Sequence, residues 1–227
     1  MKICVLICGH ATDYTQERYG DYGSIIVQFL GPTRANWHFQ IAFDADYDLE
    51  GFDALVLTGS AATAHEEVDW ILRLKEKIRH WYRSQRPMVG ICFGHQVIAG
   101  ALGGISEINP KGWEIGNVKV QASSPLPQEL QLFQIHRDHV RHLPEGFQVL
   151  ARSGQTDIQA YWAPGVLGIQ GHPEFAADVI VDLIQKRLAA GILNQEQAES
   201  ALQSLNVPQD VDVWQQTIWR MLETGRL

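Results

Sequence analysis

Cysteine is scarce: the 227-residue chain holds three, Cys4, Cys8 and Cys92, too few and too apolar in their settings for a disulfide framework or a four-ligand zinc site. Long hydrophobic runs are missing too. No stretch approaches the roughly 18 consecutive apolar residues of a membrane helix, so no bilayer span is expected. The opening Met1-Lys2-Ile3-Cys4-Val5-Leu6-Ile7-Cys8 carries an apolar run of six residues with no small-residue cleavage site behind it. That argues for a first buried strand over a secretory leader, and makes the cytoplasm the default location. Basic residues are outnumbered, 18 Lys and Arg against 26 Asp and Glu, for a formal charge of −8. With no basic stripe to neutralise phosphates, nucleic acid is not an expected partner. The sequence also lacks internal repeats, low-complexity tracts and linkers long enough to separate one domain from another.

What remains is the composition of one ordinary globular unit, 45% hydrophobic and 19% charged, with enough apolar side chains for a sizeable core. Short runs rich in Val and Ile, bounded by Gly, Asp or Pro, recur at 3–8, 54–58, 87–92 and 166–170. They lack the period-two alternation of half-exposed strands and predict buried strands of a largely parallel sheet. Between two of them, Glu66 to Arg83 sets Val68, Ile71, Leu72, Ile78, Trp81 and Tyr82 on one helical face and turns Arg73, Glu76, Lys77 and Arg79 outward. That is the pattern of a crossover helix. From about 114 to 163 the runs shorten and gain polar interruptions (115–120, 130–135, 148–152, 158–162), which predicts antiparallel strands on one edge. Helices are expected over 176–190, from a capping box of Asn194 and Gln197, and over 212–223 with Gly225 as its stop. The expected fold is α/β, a doubly wound mostly parallel sheet with an antiparallel edge, in one domain over 1–227. Its core would run to about residue 190 and a helical extension from about 191, with ligands at the carboxyl ends of the strands.

One segment carries most of the chemistry. Pro87-Met88-Val89-Gly90-Ile91-Cys92-Phe93-Gly94-His95-Gln96 runs from strand into helix through Gly90-x-Cys92-x-Gly94, the cysteine version of a nucleophile elbow. A turn that tight leaves no room for side chains flanking the nucleophile, hence glycine two before and two after it. A cysteine there sits at a helix N-terminus, where partial positive charge favours a thiolate. A thiol nucleophile needs a base and the base an orienting partner. Gly171-His172-Pro173-Glu174, directly after the apolar run 166–170, supplies both, with the proline fixing the backbone so that His172 and Glu174 converge.

Together these segments resemble the class I glutamine amidotransferase family in its Cys-His-Glu form, whose fold is flavodoxin-like. The resemblance covers about residues 50–180. It implies Cys92, His172 and Glu174 as a catalytic triad, and an oxyanion hole from the N–H groups of Gly59, in Leu55-Val56-Leu57-Thr58-Gly59-Ser60, and of Phe93. Each such donor contributes about 3 kcal/mol. Gln96, one turn past the nucleophile, matches a substrate-binding glutamine. His136-Arg137-Asp138-His139-Val140 is similar to the pocket-lining element of the GMP-synthase-like branch, which implies roles for His136 and Asp138. The loop Gly59-Ser60-Ala61 departs from the Gly-Gly-Pro type of dedicated amidotransferase subunits and looks like that of free-standing γ-glutamyl peptidases, with Ser60 at the substrate. Lys111-Gly112-Trp113-Glu114-Ile115-Gly116 is similar to a segment of the same branch. Neither an ATP-pyrophosphatase domain nor a G-x-x-x-x-G-K-[ST] loop follows.

The expected activity is therefore hydrolysis of the side-chain amide of glutamine or of a γ-glutamyl compound through a thioester on Cys92, with no cofactor and no metal. Two alternatives stand beside it: a glutaminase subunit feeding ammonia to a separate synthetase, and a non-catalytic sensor using Cys92 for oxidation. The spacing of His136, Asp138, His139 and His142 fits no metal-ligand pattern. Cys4 and Cys8 read as core thiols and Trp214 and Trp219 as core aromatics. Gly100 and Gly103-Gly104 read as helix packing and a helix stop. Tyr19-Gly20-Asp21-Tyr22-Gly23 reads as a turn opening the first helix.

Overall fold

The four apolar runs become the middle of one sheet. In the computed structural model, which describes residues 1–44 and 46–227, the chain opens β1 (Lys2–Ile7), α1 (Asp13–Tyr19), α2 (Tyr22–Leu30), β2 (Asn36–Ile41), β3 (Ala54–Leu57), α3 (Asp69–Arg83), β4 (Met88–Ile91) and α4 (Phe93–Ala101). It continues β5 (Ile105–Ile108), β6 (Glu114–Ala122), β7 (Glu129–His136), β8 (Asp138–His142), β9 (Gln148–Arg152), β10 (Ala160–Ala163), β11 (Val166–Ile169), α5 (Ala177–Ala189), α6 (Gln195–Ser204) and α7 (Val211–Thr224). Nine strands pair in the order β2-β1-β3-β4-β11-β10-β9-β6-β7. The first five are parallel and the rest antiparallel, while β5 and β8 form a separate antiparallel pair. This is the α/β fold with an antiparallel edge, in the flavodoxin-like order at its parallel end.

The faces of the sheet explain the missing alternation. Ile3 and Val5 of β1 pack with Ile26 and Leu30 of α2 and with Trp214 and Ile218 of α7. The intervening Cys4 and Leu6 pack on the other face with Ile71, Leu74 and Ile78 of α3 and Val97 of α4. Both faces are covered, so every position is apolar. A third cluster joins Phe133 and Ile135 of β7 to α5 and α6. Asn194 and Gln197 form the reciprocal capping box at α6, and Gly225 ends α7 in the left-handed region at φ 67°.

Three expectations need correction. The buried stripe of α3 is Ile71, Leu74, Ile78 and Trp81; Val68, Leu72 and Tyr82 are 40%, 43% and 37% exposed. The core touches only the narrow stripe spaced three and four apart; Leu72 falls about 100° from Ile71, and Val68 precedes the helix as its N-cap in extended backbone. The sequence pattern also predicts no counterpart to β2, Asn-Trp-His-Phe-Gln-Ile, which sits half exposed at the sheet edge and carries the polar residues of an edge strand. Asp21 does cap a helix through its side chain, but that helix is α2, the second in the chain. Cys4 and Cys8 are buried, and burial pushes the Cys4 thiol up to about 12.

Trp214 is fully buried between α2 and the sheet. Truncating it leaves a large cavity, so Trp214→Ala is expected to lower stability by about 3–5 kcal/mol in chemical denaturation. A loss under about 1 kcal/mol would show that α7 contributes little to the core.

Candidate active site

Three adjacent parallel strands deliver the site. Gly59 and Ser60 follow β3, Cys92 follows β4, and His172 follows β11; β4 pairs with both neighbours, Ile91 lying opposite Ile169. Cys92 is the hinge between β4 and α4, with φ 52° and ψ −102°. A side chain in that region costs on the order of 1–3 kcal/mol and persists only where its surroundings impose it. Here the Cys92 N–H donates to Ile169 O at 2.8 Å and its carbonyl accepts from Gln96 N at 3.0 Å. The flanking glycines are steric necessities of two kinds. A Cβ on Gly94 would lie 2.6 Å from Leu57 O of β3, as expected of a neighbouring strand, whereas one on Gly90 would strike the backbone of Gly94 within the elbow itself.

His172 meets Cys92 across Gly59. A Cβ on Gly59 would lie 2.9 Å from His172 Cε1 and 3.7 Å from Cys92 Cβ, so only glycine leaves the imidazole its place. The Nδ1 of His172 stands 2.7 Å from Glu174 Oε1, and the ring stacks on Phe175 at 4.3 Å and 3°. The His172 and Glu174 side chains are 4% and 3% exposed. Burial alone would strip the imidazole of its proton, but the Glu174 carboxylate, the neighbouring Cys92 and its hydrogen bonds to both outweigh that and hold its pKa up to about 10.

Phe93 opens α4, so its N–H is one of the first-turn amides without an intrahelical partner. Cys92 lies where two cavities join. The larger, about 470 Å³, is lined by Ser60, Gln96, Trp113, His136 and Asp138; the smaller, about 170 Å³, by Tyr22, Gly59, Phe175 and His172. Both include Lys186 and Arg187. All four expected substrate residues thus face one cleft, but two of them are themselves tied down. Gln96 Nε2 donates to Asp138 O at 2.9 Å and Gln170 Oε1 at 3.1 Å. His136 Nδ1 lies 2.9 Å from Asp138 O and its Nε2 3.2 Å from Glu114 Oε2. Glu114 is buried and also accepts from Ser153, Thr156 and Gln159. Burial would raise its pKa, but the contacts with His136 and these donors hold it below the usual carboxylate range. Glu114 thus gives the Trp113-Glu114 segment a physical role behind the cleft wall.

One residue that sequence reasoning missed braces the histidine loop. Gln209, just before α7, donates through Nε2 to the carbonyls of His172, Pro173 and Phe175 at 3.3, 3.2 and 3.0 Å, while its Oε1 accepts from Phe133 N at 3.2 Å. A lone Gln in a loop carries no signal of such a contact.

Comparisons with known proteins agree in kind. The family model described as glutamine amidotransferase class-I matches residues 30–184. Gamma-glutamyl peptidase 4 of Arabidopsis thaliana is 32% identical over 88% of this chain and 86% of its own length. A glutamine-hydrolyzing GMP synthase subunit of Saccharolobus solfataricus is 31% identical over 56% of this chain and 70% of its own. A glutamine amidotransferase crystal structure from Thermotoga maritima superposes with a TM-score of 0.72 at 23% identity, over 98% of this chain and 99% of that one.

Because its folded pKa is raised from 6.5, the charged His172 adds stability that is complete below about pH 6.5 and lost as pH climbs through about 10. NMR titration of the imidazole is expected to find it protonated well above neutrality, and Glu174→Gln to bring its titration down by removing the main opposing charge. A wild-type His172 titrating near 6.5 would contradict this electrostatic account.

Proposed function

The chain belongs to the class I glutamine amidotransferase family, and from that premise we propose that it is a stand-alone cysteine hydrolase of γ-glutamyl compounds, acting as a single unit over residues 1–227. The Cys92 thiol and the His172 imidazole lining one chamber, with the Glu174 carboxylate 2.7 Å behind the ring, carry the reading. The proton of the pair rests on His172, leaving Cys92 as the thiolate whose sulfur attacks the γ-carbonyl, with the oxyanion accepting from the N–H groups of Gly59 and Phe93. When the intermediate collapses, the imidazolium gives its proton to the departing nitrogen and a γ-glutamyl thioester remains. Water, deprotonated by the same imidazole, then releases glutamate and the thiol. Glu174 keeps the ring in the orientation and tautomer that both steps need. Ser60, Gln96, His136 and Asp138 form the wall against which the glutamyl group lies. Among the described residues no helix is long and apolar enough to cross a membrane.

A second reading is favoured by the GMP synthase relatives: a glutaminase that delivers ammonia to a separate synthetase. The Gly59-Ser60-Ala61 loop and the likeness to a gamma-glutamyl peptidase along most of both chains support the stand-alone form. Purified protein assayed alone is expected to turn over glutathione-type substrates at a rate that needs no partner. Idleness on them, with glutamine hydrolysis appearing only when a synthetase is added, would favour the second reading. Cys92→Ala is expected to lower kcat by about 10⁴-fold or more. Full activity in a clean preparation would refute the nucleophile, and oxidation of Cys92 without any γ-glutamyl turnover would point to a sensor instead.

A further inference from the structure

The proposed mechanism leaves two cations at the reaction centre without work. Arg187 and Lys186, on the last turn of α5, line both the large cleft and the small chamber that holds His172. Arg187 is half-buried. Its Nη1 donates to Leu183 O at 3.1 Å and its guanidinium carbon lies 5.1 Å from the Trp113 ring. No Asp or Glu lies within ion-pair distance of it among the described residues. Lys186 has one acid nearby, Asp182 at 3.9 Å, and that carboxylate also accepts from Thr12 Oγ1 at 2.6 Å. With Arg137, three cations and one acid, Asp138, line the large cleft of a chain whose formal charge is −8. Local positive charge in a negative protein, with a guanidinium taken partly out of water and given no carboxylate, is the arrangement of an anion site. The Trp113 ring lies over the guanidinium and Leu183 O takes one of its five donors, leaving the others for a carboxylate.

Which carboxylate it receives follows from the position of His172. The imidazole must stand beside the departing nitrogen, and Arg187 and Lys186 share its chamber. Ammonia leaving from glutamine would offer them nothing. We propose that Arg187, with Lys186 beside it, binds a carboxylate carried by the leaving group, so that the substrates are γ-glutamyl amino acids or peptides with a free carboxyl terminus. This rests on Cys92 and His172 acting as described above.

The test compares kcat/KM for γ-glutamylglycine and for glutathione, each against its own C-terminal amide. In the wild type the acid is expected to be favoured about tenfold or more in at least one pair, the low end for a hydrogen bond between charged groups. In Arg187→Met, which keeps an apolar stem against Trp113, that ratio is expected to fall toward one, with Arg187→Lys between. Ratios near one in both wild-type pairs overturn the proposal, whatever becomes of the variants. So does a ratio that survives in Arg187→Met while KM rises for acid and amide alike, which would assign Arg187 to the glutamyl α-carboxylate. If wild-type enzyme consumes no γ-glutamyl compound at all, the underlying hydrolase reading falls and takes this one with it.

Discussion

The contact of 2.7 Å between His172 Nδ1 and Glu174 Oε1 is the interaction on which the rest depends. It is made where the ring and the carboxylate have almost no access to water, and there two large effects oppose each other. Desolvation favours a neutral ring, and the adjacent negative charge favours a positive one. The carboxylate and the neighbouring Cys92 together outweigh burial, so in the proposed mechanism the imidazole holds a proton ready for the leaving nitrogen. Removing either partner would leave the other buried and uncompensated, a cost that an exposed pair would never impose. Much of the surrounding structure keeps this pair in place: Phe175 stacked on the ring, Gln209 on three carbonyls of the loop, and Gly59 yielding the volume the imidazole occupies.

The sheet sets the distance between groups far apart in the chain. Residues 59, 92 and 172 are separated by long intervening segments, yet β3, β4 and β11 are hydrogen-bonded neighbours running the same way. Their carboxyl ends fall side by side, and one to three residues past each strand end suffice to bring a backbone amide, a thiol and an imidazole together. The buried, doubly covered strands give this platform its rigidity. The backbone of Cys92, held at φ 52°, aims its side chain out of the strand direction and toward the histidine.

Much of this was legible in the chain. Strands buried on both faces reveal themselves as unbroken apolar runs, and the elbow glycines announce a steric problem with one solution. A Gly-His-Pro-Glu segment at the end of such a strand points to its own pairing because Pro restricts where the carboxylate can go. The antiparallel edge was visible in its polar interruptions. Features whose cause is distant in sequence were not. Edge strand β2 has one pairing partner and little burial, so its residues carry no core pattern. Leu72 and Leu74 are equally apolar, and only the sheet beneath α3 decides which is covered. Gln209 and Arg187 act through backbone carbonyls, an aromatic face and a cavity, none of which imposes a spacing that a single sequence displays.

The proposed chemistry stands or falls on a covalent bond. Enzyme mixed with a γ-glutamyl substrate and quenched in acid during turnover should carry one γ-glutamyl group, seen by intact mass and located by peptide mapping to Cys92. Release of the amine at full rate with no acyl group on Cys92 at any stage, or with the group on another residue, would contradict it.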